Sequence, residues 1–178
     1  RGPARDSWPV LWDWAPHDVA MALNVMNATP VSVLAIVSKR VVEGRRALEN
    51  VRLEMTFPTG AIAEITTGNA FDERCRRFAV SFDAETLSYT ESSDNQRSLT
   101  IGFGRDAQHV PVESTPPLTA AFAEFSARIR GAPGSKGDLL LGAEVVRVLS
   151  AAEASIDLGI TIQLEPSDYA ATHGAGEC

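Results

Sequence analysis

Residues 51–67, VRLEMTFPTGAIAEITT, decide the fold. Val51, Leu53, Met55 and Phe57 alternate with Arg52, Glu54 and Thr56, the period of a strand with one buried face. Pro58-Thr59-Gly60 supplies turn chemistry, and Ala61–Thr67 runs back with β-branched residues. The segment is a hairpin.

Working outward, residues 31–41 (VSVLAIVSKRV) are β-branched and apolar and make a preceding strand. Downstream, Phe78, Val80 and Phe82 alternate with Arg77, Ala79 and Ser81; a turn at Asp83-Ala84 leads to a partner strand over 86–91. Leu99, Ile101 and Phe103 form another strand, and 109–112 one more. Successive strands with short links make an antiparallel sheet. On its N-terminal side, Pro16 suits a first helical position and Asp18 the positive end of the helix dipole. With Val19, Leu23 and Met26 at helical spacing, a helix is expected over 16–27, ended by Asn27 and Pro30. Gly2, Pro3 and Pro9 are expected to keep residues 1–15 out of regular helix. On the C-terminal side, Leu118, Phe122, Phe125 and Ile129 share one face of a helix entered at Pro116-Pro117. A loop over Gly131–Gly137 precedes a longer helix from Asp138, with Leu141, Val145, Val148, Leu149, Ala152 and Ile156 on one stripe. Gly159 stops that helix, and Ile160–Leu164 is a closing strand. The class is α+β: a mostly antiparallel open sheet with helices packed on one face. Solvent or a second subunit would meet the other face.

The 178 residues suit one domain, and at 44% hydrophobic and 22% charged they are ordinary for a globular chain. A net charge of −7 speaks against a nucleic-acid partner and against an anionic membrane surface. No apolar run is long enough for a transmembrane helix, and the N-terminus lacks the apolar core of a signal peptide. Cys75 and Cys178, the two cysteines, do not make a disulfide framework, so a reducing cytoplasm is the expected compartment. The opening Arg1-Gly2-Pro3-Ala4-Arg5, without an initiator Met, raises the expectation of a piece of a longer protein.

Chemistry concentrates in Trp12-Asp13-Trp14-Ala15-Pro16-His17-Asp18. Asp13 and His17 stand four apart across a helix start. A carboxylate near an imidazole sets its tautomer and favours its charged form, whereas a helix N-terminus disfavours that charge. Together these influences suit a general acid/base titrating near neutrality. Trp8, Trp12 and Trp14 would exclude water or stack on a sugar ring. From spacing alone, a structural hydrogen bond beside an aromatic core is the favoured reading of Asp13 and His17. Cys75 lies beside Arg74, Arg76 and Arg77, which would lower a thiol pKa, although a solvated strand edge accounts for the same residues. His109, His173 and Cys178 lack metal-ligand spacing, and no metal is expected. Gly102-Phe103-Gly104 opens no helix, Gly131–Gly137 is not a P-loop, and no G-x-S-x-G elbow occurs.

LWDWAPHDVAMALNVM (11–26) resembles the start of the C-terminal domain of the glucose-fructose oxidoreductase and inositol dehydrogenase (Gfo/Idh/MocA) family, which often carries an Asp-x-x-x-His segment there. The resemblance continues through MTFPTGAIAEITTGNAF (55–71), AVSFDAETLSY (79–89), PPLTAAFAEFSARIRG (116–131) and GAEVVRVLSAAEASIDLGITIQL (142–164). It implies a dihydrodipicolinate-reductase-like C-terminal fold. Residues 1–165 would be a substrate-binding and oligomerisation domain, and 166–178 a tail. It further implies a parent enzyme using NAD or NADP on hydroxyl groups of a sugar, nucleotide sugar or inositol. His17 would be the catalytic acid/base and Asp13 would bind the substrate hydroxyl or orient His17. A homo-oligomer would form through the open sheet face.

Three departures stand out. The N-terminal Rossmann fingerprint is absent from these residues, as is the family's Glu-Lys-Pro motif; Lys39 and Lys136, the chain's lysines, lie in no such motif. Ala15 replaces a common glycine. The 178 residues alone are therefore expected neither to bind the cofactor nor to catalyse. Two alternatives are a stand-alone, non-catalytic α+β module that dimerises or binds a small ligand, and a metal-dependent enzyme drawing its ligands from the same pocket.

Overall fold

The 51–67 segment forms the hairpin its alternation predicts. In the computed structural model, β2 (Arg46–Thr56) and β3 (Ile62–Gly68) pair antiparallel from Thr56 opposite Ile62 to Asn50 opposite Gly68. The Phe57 N–H donates to Ala61 O at 2.9 Å and the Gly60 N–H to Phe57 O at 2.9 Å, closing the turn. Gly60 adopts φ +84, which glycine enters without steric cost. Val51, Leu53, Met55, Ala63 and Ile65 are buried on one face, and Arg52 and Glu64 are exposed on the other. The structure describes residues 9–43, 46–72, 76–81, 85–91, 96–102, 104–111, 115–132, 137–167 and 169.

Six further strands complete the sheet: β1 (Ser32–Glu43), β4 (Arg76–Ser81), β5 (Thr86–Glu91), β6 (Arg97–Ile101), β7 (Gln108–Val110) and β8 (Ile162–Gln163). The order is β7-β6-β5-β4-β3-β2-β1-β8, antiparallel at each junction. β2 begins five residues before the alternation that revealed it, because Glu43 pairs with Arg46 and lengthens the β1–β2 ribbon. The expected Asp83-Ala84 turn, Phe82 and Phe103 lie outside the described residues. β1 shifts register between Val37 and Lys39, and the Ser38 hydroxyl donates to Asn50 O at 3.1 Å.

The two sheet faces differ in kind. One carries the core: Val33, Ala35, Leu53, Ile65, Phe78 and Val80 are each no more than 3% exposed. On the other, registered rungs cross the sheet. Ile36, Arg52, Thr66, Arg77, Thr90 and Ser98 make one rung, and Glu54, Glu64, Ala79, Ser88, Thr100 and His109 lie along another. Arg52 pairs with Glu64 at 2.7 Å across this face.

Three helices cover the core face: α1 (Val10–Trp14), α2 (Pro16–Met26) and α4 (Gly137–Leu158). The helix α1 corrects the expectation that prolines keep residues 1–15 irregular. Pro9 sits at the N-cap with φ −55 and ψ 137, so its missing N–H falls outside the helix and Val10–Trp14 coil freely. Asn27 ends α2 in the left-handed region, φ 46. Gly159, φ +70, ends α4 as its sequence implies. The closing strand is shorter than 160–164: β8 pairs only Ile162 with Val33 and Gln163 with Ser32. Farther along β1, the Ala35 N–H donates instead to Ser155 Oγ of α4 at 2.9 Å.

The last helix, α3 (Pro117–Ile129), forms where expected, and its apolar residues share one face. That face is open: Leu118, Phe122, Phe125 and Ile129 are 61–82% exposed. The segment that follows β8 is anchored. Glu144, buried on α4, is held in a two-pronged pair by Arg147 (Nε to Oε2 at 2.9 Å, with Nη2 also on Oε1) and accepts the Ser167 hydroxyl at 2.9 Å. Arg147 Nη1 donates to Glu165 O at 2.9 Å, and Tyr169 is buried in the core cluster. Burial, and then the Glu144 charge, raise the Tyr169 phenol above its ordinary range. Residues 170–178 lie outside the described residues.

Candidate functional site at the first helical corner

The site is built on the joint between α1 and α2. Ala15 joins them in a right-handed helical conformation, φ −78 and ψ −21. Its N–H donates to Leu11 O at 3.1 Å, and the Val19 N–H donates to Ala15 O at 2.9 Å. The four-residue hydrogen-bond step thus passes through the corner, interrupted where Pro16 has no N–H to give. Ala15 needs no glycine freedom at this angle, so an alanine costs nothing here.

Because the step persists, residues three and four apart remain neighbours on the surface. Leu11, Ala15, Val19 and Leu23 turn into the core. Asp13 and His17 fall one turn apart on the solvent side, and both are exposed. Trp14, three before His17 and 38% exposed, shares that side. An acid, an indole and an imidazole are thus exposed within five residues of one helical joint. Trp12 is separated from them: its Nε1 donates to Glu153 Oε1 at 3.2 Å and ties α1 to α4. Trp8 lies outside the described residues.

Asp18, read in the sequence only as a dipole residue, is 2% exposed in the first turn of α2. There the positive helix end stabilises a carboxylate. Its burial has no periodic signature, since it lies beside Val19 on the core-facing side of a helix whose polar residues otherwise point outward.

The other candidates do not join this group. His109 is exposed on β7, its Nδ1 3.3 Å from Ser98 Oγ, on the open sheet face. Arg77 is exposed on the same face. Cys75, Arg74, His173, Cys178 and Lys136 lie outside the described residues. Lys39 pairs with Asp72 at 3.4 Å on the surface. Among the described residues no three His, Cys, Asp or Glu side chains cluster to hold a metal. Gly102 and Gly104 take positive φ and lead into a 3₁₀ turn (Gly104–Asp106), then β7.

A dinucleotide cradle needs a strand, a glycine-rich turn and a helix N-terminus in succession. Among the described elements, a strand leads to an α-helix from β7 to α3, where residues 111–116 contain prolines and no glycine, and the glycine-bearing link after β6 opens only a three-residue 3₁₀ turn. The described residues do not fit a nicotinamide dinucleotide. No helix of the described residues is long and apolar enough to cross a membrane.

Comparison with known proteins agrees with this architecture. Residues 2–88 match the model of the GFO/IDH/MocA C-terminal domain. A solved protein from Magnetospirillum magnetotacticum MS-1 is 31% identical, with a TM-score of 0.67 over 84% of this chain and 50% of that one. An aldose-aldose oxidoreductase from Caulobacter crescentus, solved with glycerol, is 21% identical (TM-score 0.66, 87% of this chain, 47% of that one). A UDP-N-acetylglucosamine 3-dehydrogenase from Acidithiobacillus ferrooxidans is 23% identical (TM-score 0.61, 88% of this chain, 50% of that one). The chain spans about half the length of these solved relatives. No curated protein matches it.

Proposed function

Because residues 2–88 match the model of the GFO/IDH/MocA C-terminal domain, we propose that the chain is the substrate side of an NAD(P)-dependent oxidoreductase acting on hydroxyl groups of a sugar, nucleotide sugar or inositol. The observation that carries this reading is the exposed Asp13–His17 pair, set one turn apart on a helical joint whose opposite side is locked in the core. His17 takes or gives the proton of the reacting hydroxyl. Asp13 accepts a hydrogen bond from a substrate hydroxyl or orients the imidazole. Trp14 offers an apolar ring face beside them, the kind of surface on which a sugar's C–H face packs. The cofactor belongs to residues outside these 178.

The open sheet face supports a second element of the reading, association of like subunits. The face mixes short Ser, Thr and Ala side chains and the exposed, apolar Ile36 and Ile62 with charged Arg52, Glu54, Glu64 and Arg77, a mixture that a like face meets through both apolar contact and ion pairs. The test of the reading is turnover. The protein made from its complete reading frame, supplied with NAD or NADP, should oxidise or reduce at least one member of a panel of sugars, nucleotide sugars and inositols. No turnover with any member contradicts it.

A further inference from the structure

Short helices do not hold themselves in place, and α1 is five residues long. Its setting depends on contacts with the rest of the fold. Val10 and Leu11 bury apolar surface, but that attraction has no direction and lets a helix roll on what it covers. A hydrogen bond to a carboxylate does have direction. α1 makes such a bond to a distant element: Trp12 Nε1 donates to Glu153 Oε1 at 3.2 Å, across 141 residues of sequence.

The acceptor is fixed. Glu153 lies on α4, the longest of the described helices. Ala152 beside it is buried, and Ser155, two residues on, is buried and accepts the Ala35 N–H of β1. The donor sits where the corner is weakest. A bond from residue 16 back to residue 12 would continue the helical step, and Pro16 has no N–H to make it. The Trp12 side chain ties that same residue to α4 instead.

Asp13 and His17 stand on either side of this joint. Asp13 belongs to α1 and His17 to α2, whose Val19 and Leu23 are fully buried. Whatever turns α1 about its axis moves Asp13 relative to His17. A side-chain tip lies about 5–6 Å from a helix axis, so a roll of about 10° carries it about 1 Å. A misplacement of about 1 Å costs a reaction up to about 10²-fold. We infer that Glu153 is a positioning residue: acting through Trp12, it sets the roll of α1 and with it the place of Asp13 beside His17. Its effect on turnover rests on the proposed function; its effect on α1 does not.

The test uses the protein made from its complete reading frame, labelled with 5-fluorotryptophan. The Trp12 and Trp14 signals are assigned from Trp12→Phe and Trp14→Phe. Trp14 lies on another side of α1 from Trp12, so its signal reports the helix rather than the bond. Glu153→Ala should shift both fluorine signals and lower kcat about 10- to 100-fold, with the cofactor Kd within about twofold of wild type. Glu153→Gln keeps a carbonyl that accepts from the indole, and should restore the Trp14 signal and bring kcat to within about twofold of wild type. Trp12→Phe should lose as much kcat as Glu153→Ala, and the double variant no more than either. The inference is overturned by a Trp14 signal unmoved in Glu153→Ala, by unchanged kcat in that variant, or by Glu153→Gln behaving as Glu153→Ala does. A wild type without turnover overturns the proposed function instead, and the fluorine signals then decide what sets α1.

Discussion

The Ser155 hydroxyl of α4 stands in for a missing strand partner of Ala35: it accepts the Ala35 N–H at 2.9 Å and donates to Ile160 O at 2.6 Å. β8 pairs with β1 only at Ser32 and Val33, so beyond them the edge of the sheet would bury an unpaired donor. Ser155 is 0% exposed, so water cannot replace it. Ser155→Ala should cost about 1–3 kcal/mol, the usual range for a buried donor left unsatisfied. Urea denaturation reads this directly; an unchanged midpoint would mean that the edge finds another acceptor.

Gly68 is expected to tolerate no side chain. Its φ is +154, and a Cβ there would lie 2.3 Å from Glu49 O and 2.6 Å from Asn50 Cα. Both obstacles are backbone, tied down further by the Ala70 N–H donating to Asn50 Oδ1 at 2.9 Å and the Glu49 N–H to Asn69 Oδ1 at 2.8 Å. Gly68→Ala should destabilise by at least about 2 kcal/mol. Thermal unfolding checks it, with Gly60→Ala as a milder comparison, since a Cβ at Gly60 meets nothing within 4 Å.

The anchor of the C-terminal segment gives a pH prediction. Tyr169 has a raised phenol pKa because burial, and then Glu144, disfavour the phenolate. A raised folded pKa means the fold prefers the neutral form. Its contribution is complete below the unfolded value of 10.0 and is lost as the pH rises through the folded value. Wild-type stability should therefore fall more steeply above pH 10.0 than that of Tyr169→Phe. Parallel alkaline profiles of the two proteins would contradict this.

The proposed association through the open sheet face is tested at Ile36. It is 47% exposed in the single chain and lies in register with Arg52 on the rung that crosses the sheet. Ile36→Asp should shift the complete protein toward smaller species in light scattering without lowering its helix and strand content. An unchanged mass would remove this face from the assembly.

Most of the fold was legible because it rests on period-two alternation. Val51, Leu53 and Met55 against Arg52 and Glu54 state which face is buried, and the antiparallel order follows from the short links. The α1 helix was hidden by Pro9, which reads as a breaker until its place at the cap is known. The outward orientation of α3 was equally hidden: a stripe such as Leu118, Phe122, Phe125 and Ile129 says that something covers it, not what. The anchoring of Ser167 and Tyr169 depends on contacts with Glu144, more than 20 residues away, which no local pattern encodes. At the site, the spacing of Asp13 and His17 carried over to one shared surface because the helical step survives the Ala15–Pro16 joint. Trp12 and Trp14, two residues apart in sequence, fall on different sides of the helix for the same geometric reason.

The central claim is that His17 handles a substrate proton. The most direct measurement compares kcat and cofactor affinity of His17→Ala with wild type, in the protein made from its complete reading frame. A general acid/base contributes about 10²–10⁴-fold, so kcat should fall by that order while the cofactor Kd stays within about twofold. Equal turnover in the two proteins would contradict the assignment and return Asp13 and His17 to the surface of a helical corner.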